Sequence, residues 1–123
     1  MTTIATCVTV NPGICGFRCS IKAGKKDARM VALEITESDC RQIQELSKRL
    51  AEISLRDILA PISRNPVYIL AEKSGCHLSC VVPVAVIKAA EVALEMALPS
   101  EVRIQFAACR PDENSISPSS SVS

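Results

Sequence analysis

The chain alternates apolar and polar residues through its first third, changes to helical spacing in its middle, and returns to alternation near residue 100. The cleanest alternation is residues 17–23, where Phe17, Cys19, Ile21 and Ala23 face one way and Arg18, Ser20 and Lys22 the other. Residues 3–10 alternate more loosely, with Ile4, Val8 and Val10 on one side. Val31, Leu33 and Ile35 define a third run, with Ala32 and Glu34 opposite. "NPGICG" and "GKKD" supply turn chemistry between the runs, so the three predict an antiparallel meander.

From residue 36 the period becomes helical. Ile43, Leu46, Leu50 and Ile53 form a stripe, while Arg41, Glu45, Lys48, Arg49 and Glu52 cover the other faces. Ser38 or Asp39 is the expected cap, and Gln42 follows Asp39 at the capping-box distance. "SLRD" predicts one short further turn before Pro61. Asn65 and Pro66 start a second helix that ends at Gly75. A third begins at Pro83 and runs toward Pro99, with Lys88, Glu91 and Glu95 as a narrow charged stripe. "EVRIQFA", residues 101–107, reads as a closing strand with Val102, Ile104 and Phe106 inward.

The expected order is therefore β-β-β-α-α-α-β. It predicts a two-layer α+β domain over residues 1–108, with helices on one face of a mostly antiparallel four-stranded sheet. Residues 109–123 read as a disordered, Ser-rich tail.

Composition narrows the function classes. The 123 residues are 48% hydrophobic with a formal net charge of +1, enough for one real core and no electrostatic call on nucleic acid or anionic membrane. Phe17, Tyr68 and Phe106 are the aromatic residues, too few for a base-stacking platform. The basic group in "AGKKDAR" reads as a solvated hairpin tip. The first residues lack a signal-peptide pattern, and no apolar run reaches the ~18–20 residues of a bilayer span. A cytoplasmic protein is expected, without nucleic-acid or membrane partners.

Seven cysteines are then unusual. Cytosolic chains seldom keep structural disulfides, so thiols in this number point to metal or redox chemistry, against the plainer role of small buried hydrophobes. Cys19 is in phase with the core positions, Cys7 lies on the opposite strand face, and Cys109 adjoins the tail. Cys15, Cys40, Cys76 and Cys80 fall in turns or at helix starts.

Up-and-down counting along the predicted elements carries the Cys15 turn, the start of the first helix at Cys40 and the "GCHLSC" loop to one end of the domain. The count holds if residues 54–64 act as a bend. Cys40, in an expected first helical turn, is the candidate reactive thiol, because free N–H groups and the helix dipole favour a thiolate there. His77, the only histidine, lies next to Cys76 and three residues before Cys80. The spacing itself is unspecific: "CGFRC" and "CHLSC" are both C-x3-C, not the paired C-x2-C of common zinc knuckles.

"VTVNPGICGF", "SDC" before a helix, and "CVVPV" opening the last helix resemble an uncharacterised family of short cysteine-containing proteins from anaerobic bacteria and archaea. The resemblance spans residues 8 to about 106 and falls on Cys15, Cys40 and Cys80. It implies those positions and no activity.

Three readings follow. The favoured one is a small metal- or iron–sulfur-binding protein with zinc or a cluster held by Cys15, Cys40 and Cys80, and Cys76 or His77 as a further ligand. The second is a thiol-based redox or sulfur-carrier protein with Cys40 reactive. The third is a non-catalytic domain acting as a homodimer or through a protein partner. No Gly-rich phosphate loop, nucleophile elbow or metalloprotease motif is present, and no reaction is read from the sequence.

Overall fold

A computed structural model describes residues 5–13, 16–113 and 115–116. Strands β1 (Thr6–Val10), β2 (Cys19–Asp27) and β3 (Met30–Thr36) form the expected antiparallel meander. Helix α1 (Arg41–Arg49) follows, then a short strand β4 (Glu52–Ser54), helix α2 (Leu55–Ile58), a 3-10 turn at Ile62–Arg64, and helices α3 (Pro66–Lys73) and α4 (Val82–Ala93). The sheet order is β1-β2-β3-β4, and every pairing is antiparallel. The fold class is α+β, as the periodicities predict.

The fourth strand is not the one expected. Residues 101–107 form no strand, and the edge position beside β3 goes to β4. The helical stripe led to Ile53, but α1 stops at Arg49 and Leu50 leaves helical geometry at φ −118°, ψ 80°. Ile53 is buried nonetheless, because it pairs with Val31 on the sheet. A position that the stripe would bury from a helix is buried here from a strand, which period alone does not distinguish.

Two further boundaries move. β2 runs on through Gly24 to Asp27 with an irregularity between Lys25 and Asp27, so "GKKD" is strand and the reversal falls at residues 28–29. The Arg29 N–H donates to Asp27 Oδ1 at 2.8 Å, the side-chain contact by which Asp fixes a tight turn. α4 ends at Ala93, not near Pro99, and Glu95 takes a left-handed φ of 62°.

The core lies between one sheet face and the helices. Val10, Cys19, Ile21, Ala23, Val31, Leu33 and Ile35 come from the strands. Ile43 and Leu46 of α1 and Val82, Val86, Ala89 and Ala90 of α4 meet them. α4 packs over β1, β2 and β3, α1 over β3, and α3 against α1 and α4. Each fully buried Val, Leu or Ile contributes about 1.5–3 kcal/mol relative to an exposed one. The opposite sheet face carries Cys7, Thr9, Lys22, Glu34 and Thr36 in solvent. Residues 101–112 and 115–116 are exposed; the rest of the expected tail lies outside the described residues.

The bend assumed for residues 54–64 survives its extra helix, because both short helical turns stay at the lower end of the sheet. The Leu55 N–H donates to the carbonyl of Arg29 in the β2–β3 turn at 2.8 Å. Ser54 and Asp57 form a reciprocal capping box. Buried Asn65 then ties the start of α3 to this region: its Nδ2 donates to the carbonyls of Asp57 (2.9 Å) and Ala60 (3.2 Å), and its Oδ1 accepts from the Val67 N–H (3.0 Å). From this anchor α3 climbs back toward the upper end.

Candidate functional site

At that upper end, β3 passes into α1 through Glu37, which adopts φ 60° and accepts from the Ser20 hydroxyl at 2.9 Å. Ser38 Oγ accepts the Cys40 N–H at 3.2 Å, and Gln44 Nε2 donates to the Ser38 carbonyl at 2.9 Å. Cys40 is itself the N-cap of α1, with extended backbone at φ −78°, ψ 122°, and makes no side-chain capping bond. The expected Asp39–Gln42 capping box is absent. Gln42 instead accepts the Cys40 thiol proton, Sγ to Oε1 3.1 Å, a contact available to the thiol and not to a thiolate.

α3 delivers the second segment. Its end is a full Schellman reversal: Gly75 lies at φ 77°, its N–H donates to Glu72, and the Cys76 N–H donates to Ala71, both at 3.0 Å. A Cβ at Gly75 would meet Gln42 Cγ at 3.7 Å, so the turn lies directly against the start of α1. Gln42 thus touches Cys40 on one side and borders the Cys76 turn on the other. The loop closes with the Cys80 N–H donating to the His77 carbonyl at 3.0 Å, and Val82 begins α4.

Cys40, Cys76 and Cys80 are half-buried and pack against the core. Cys19 opens β2 opposite Val10 and is 2% exposed. Cys40 and Cys80 act on both Cys19 and Cys76. Burial pushes the Cys19 thiol up to about 11, and negative charge at Cys80 and then Cys40 pushes the same way. Burial likewise raises Cys76 to about 11, again with Cys80 and Cys40 adding to it. Thiols from three stretches of sequence therefore share one electrostatic neighbourhood.

The candidate ligands divide accordingly. Cys40, Cys76 and Cys80 are brought together. Cys15 lies outside the described residues. His77 is exposed beside Cys76. Cys7 and Cys109 are exposed and away from the cluster's burial. Cys19, read from the sequence as a core residue, is one, but it also belongs to the cluster; its place at the mouth of the Cys15 turn was the available signal. No disulfide forms among the described residues. As the side chains stand, no three His, Cys, Asp or Glu groups among them are drawn together tightly enough to hold a metal ion. An open depression of about 360 Å³, lined by Thr9, Arg18, Cys19, Ser20 and Glu37, lies at the same end.

A family model matches residues 6–106, from the first residue of β1 almost to the end of the alternating 101–107 segment. The chain belongs to DUF6951, a family of unknown function. The part matched to DUF6951 includes Cys15 and every member of the thiol cluster, and leaves out Cys109 and the Ser-rich end. No curated protein and no solved structure matches the chain. No helix among the described residues is long and apolar enough to cross a membrane.

Proposed function

We propose that this protein binds a thiophilic metal ion or an iron–sulfur cluster through cysteines at the upper end of the sheet. Cys40, Cys76 and Cys80 are the ligands, and Cys19 or Cys15 completes a four-thiolate set, with His77 as the alternative fourth donor. The observation that carries this reading is that Cys40 and Cys80, from two separate segments, lie within electrostatic reach of both Cys19 and Cys76. Four thiolates suit a structural zinc ion or a cluster; three with an open position suit binding of a further ligand.

Metal binds the thiolate form, so binding releases the protons these ligands carry. Affinity then rises with pH, because each ligand must lose its proton first.

The test is metal and acid-labile sulfide content after anaerobic purification of the wild-type protein and of a Cys40→Ser, Cys76→Ser, Cys80→Ser variant. Iron with sulfide, or zinc, in stoichiometric amount and lost in the variant supports the reading. Metal-free protein in which one of these thiols alkylates far faster than Cys7 replaces it with a thiol redox role.

A further inference from the structure

We propose that residues 101–107 pair as a β-strand with the exposed edge of β1 in a second copy of this chain, reciprocally, to form a two-fold homodimer. This inference is independent of the thiol site.

The donor segment has the pattern of a strand and the environment of none. Val102, Ile104 and Phe106 alternate with Glu101, Arg103 and Gln105, yet Ile104 is 77% and Phe106 98% exposed. Among the described residues no backbone hydrogen bond ties the segment to the rest of the chain, and its ion pair, Arg103 to Glu101 at 3.0 Å, is internal. A row of large apolar side chains at period two, with unused backbone donors and acceptors, is what a sheet edge recruits. The family match extends through residue 106, so this segment is shared family chain and not part of the Ser-rich end.

The acceptor is equally open. β1 stands at one edge of the sheet, and "TCVTV" carries neither a charge nor a proline, the usual devices that blunt a free edge. The other edge, β4, is only three residues long. Five residues of β1 face the five-residue apolar alternation at 102–106, a match in length. Parity also agrees. Val8 and Val10 lie on the helix-covered side of β1, where Val102, Ile104 and Phe106 would extend the core. Cys7 and Thr9 face solvent, where Arg103 and Gln105 would join them.

A second copy is the occupant because donor and acceptor sit on the same chain without meeting. The left-handed turn at Glu95 carries residues 97–107 out into solvent, and among the described residues no strand pairs with the outer edge of the chain's own β1. Reciprocal exchange satisfies both elements in both copies and closes after one pairing. A net charge of +1 sets no appreciable repulsion between copies.

The test joins mass and cross-linking. Sedimentation of the full chain over a concentration series should give a dimer, and Ile104→Asp should weaken it roughly 30-fold or more, as loss of a central apolar anchor does. That substitution lies in an exposed segment, and unchanged circular dichroism will verify the protomer. In a Cys109→Ser background, Arg103→Cys or Gln105→Cys should oxidise to a covalent dimer that disappears with Cys7→Ser. A monomer at all concentrations overturns the proposal. So does a monomer carrying an internal disulfide to Cys7, which would mean that the segment docks on its own sheet.

Discussion

Two chain reversals in this protein share one hydrogen-bond design and have opposite consequences. At the end of α3, Gly75 and Cys76 donate to Glu72 and Ala71; at the end of α4, Glu95 and Met96 donate to Val92 and Glu91. Both place a residue in left-handed backbone, φ 77° at Gly75 and 62° at Glu95. The first turn folds Cys76 against the core beside Gln42. The second releases residues 96–112 into solvent. The local motif therefore sets a change of direction only. What lies in the new direction decides whether the chain is buried, and here one direction leads to a thiol cluster and the other to an exposed segment of alternating apolar residues.

The largest effect separating the two ends is expected from alkaline pH. Cys19 and Cys76 are raised from 9.0 to about 11 in the folded protein. Between those values the folded state keeps protons that the unfolded state has released. Their contribution to stability is complete below about pH 9 and is lost as pH rises toward 11. Chemical denaturation at pH 8 and pH 10.5 should show this fall, and hydrogen exchange should place the first opening at residues 75–81 and not at the Glu95 turn. A metal-free stability flat across that interval would contradict the shared burial of these thiols.

Asn65→Ala comes next, at about 2 kcal/mol, because it removes a helix cap and leaves carbonyls and an amide of a buried corner without their partner. Its effect should extend to the Gly75 turn, which α3 aims from this anchor, and leave the Glu95 turn unaltered. Gly75→Ala should cost roughly 1–2 kcal/mol, the strain of a side chain in left-handed backbone. On the proposed function it should also slow metal uptake, since Cys76 follows directly on this turn and packs against the core. Glu95→Gly, at the matching position, should do the reverse and stabilise by up to about 1 kcal/mol by removing that strain. Opposite signs at the two turns, measured by urea denaturation, are the sharpest check that they are one motif.

Much of this was legible in the sequence, for reasons that also mark where reading stopped. Period-two alternation located β1, β2 and β3, since one face of each meets the core. Asn65-Pro66 and Gly75 bounded α3, because each has a local physical role that tertiary context did not override. Ile53 misled, since its burial fits a helical stripe and a strand pairing equally well. The 101–107 segment misled in another way: it carries the same alternation, but it lies exposed without forming a strand, and the edge beside β3 goes to β4. Counting directions brought Cys40, Cys76 and Cys80 to one end. It missed Cys19 because a core position and a place in the cluster look alike when only phase is considered.

The central claim concerns those thiols, and Cys7 and Cys109 provide internal controls because both are exposed and outside the cluster. The most direct measurement is the alkylation rate of each cysteine, read by mass spectrometry, in chelator-stripped protein with and without Zn(II), which a soft thiolate site of either kind accepts. The account predicts that one equivalent of Zn(II) protects Cys40, Cys76 and Cys80 together while Cys7 and Cys109 react unchanged. Equal rates at Cys40, Cys76 and Cys80 with and without the ion would contradict it.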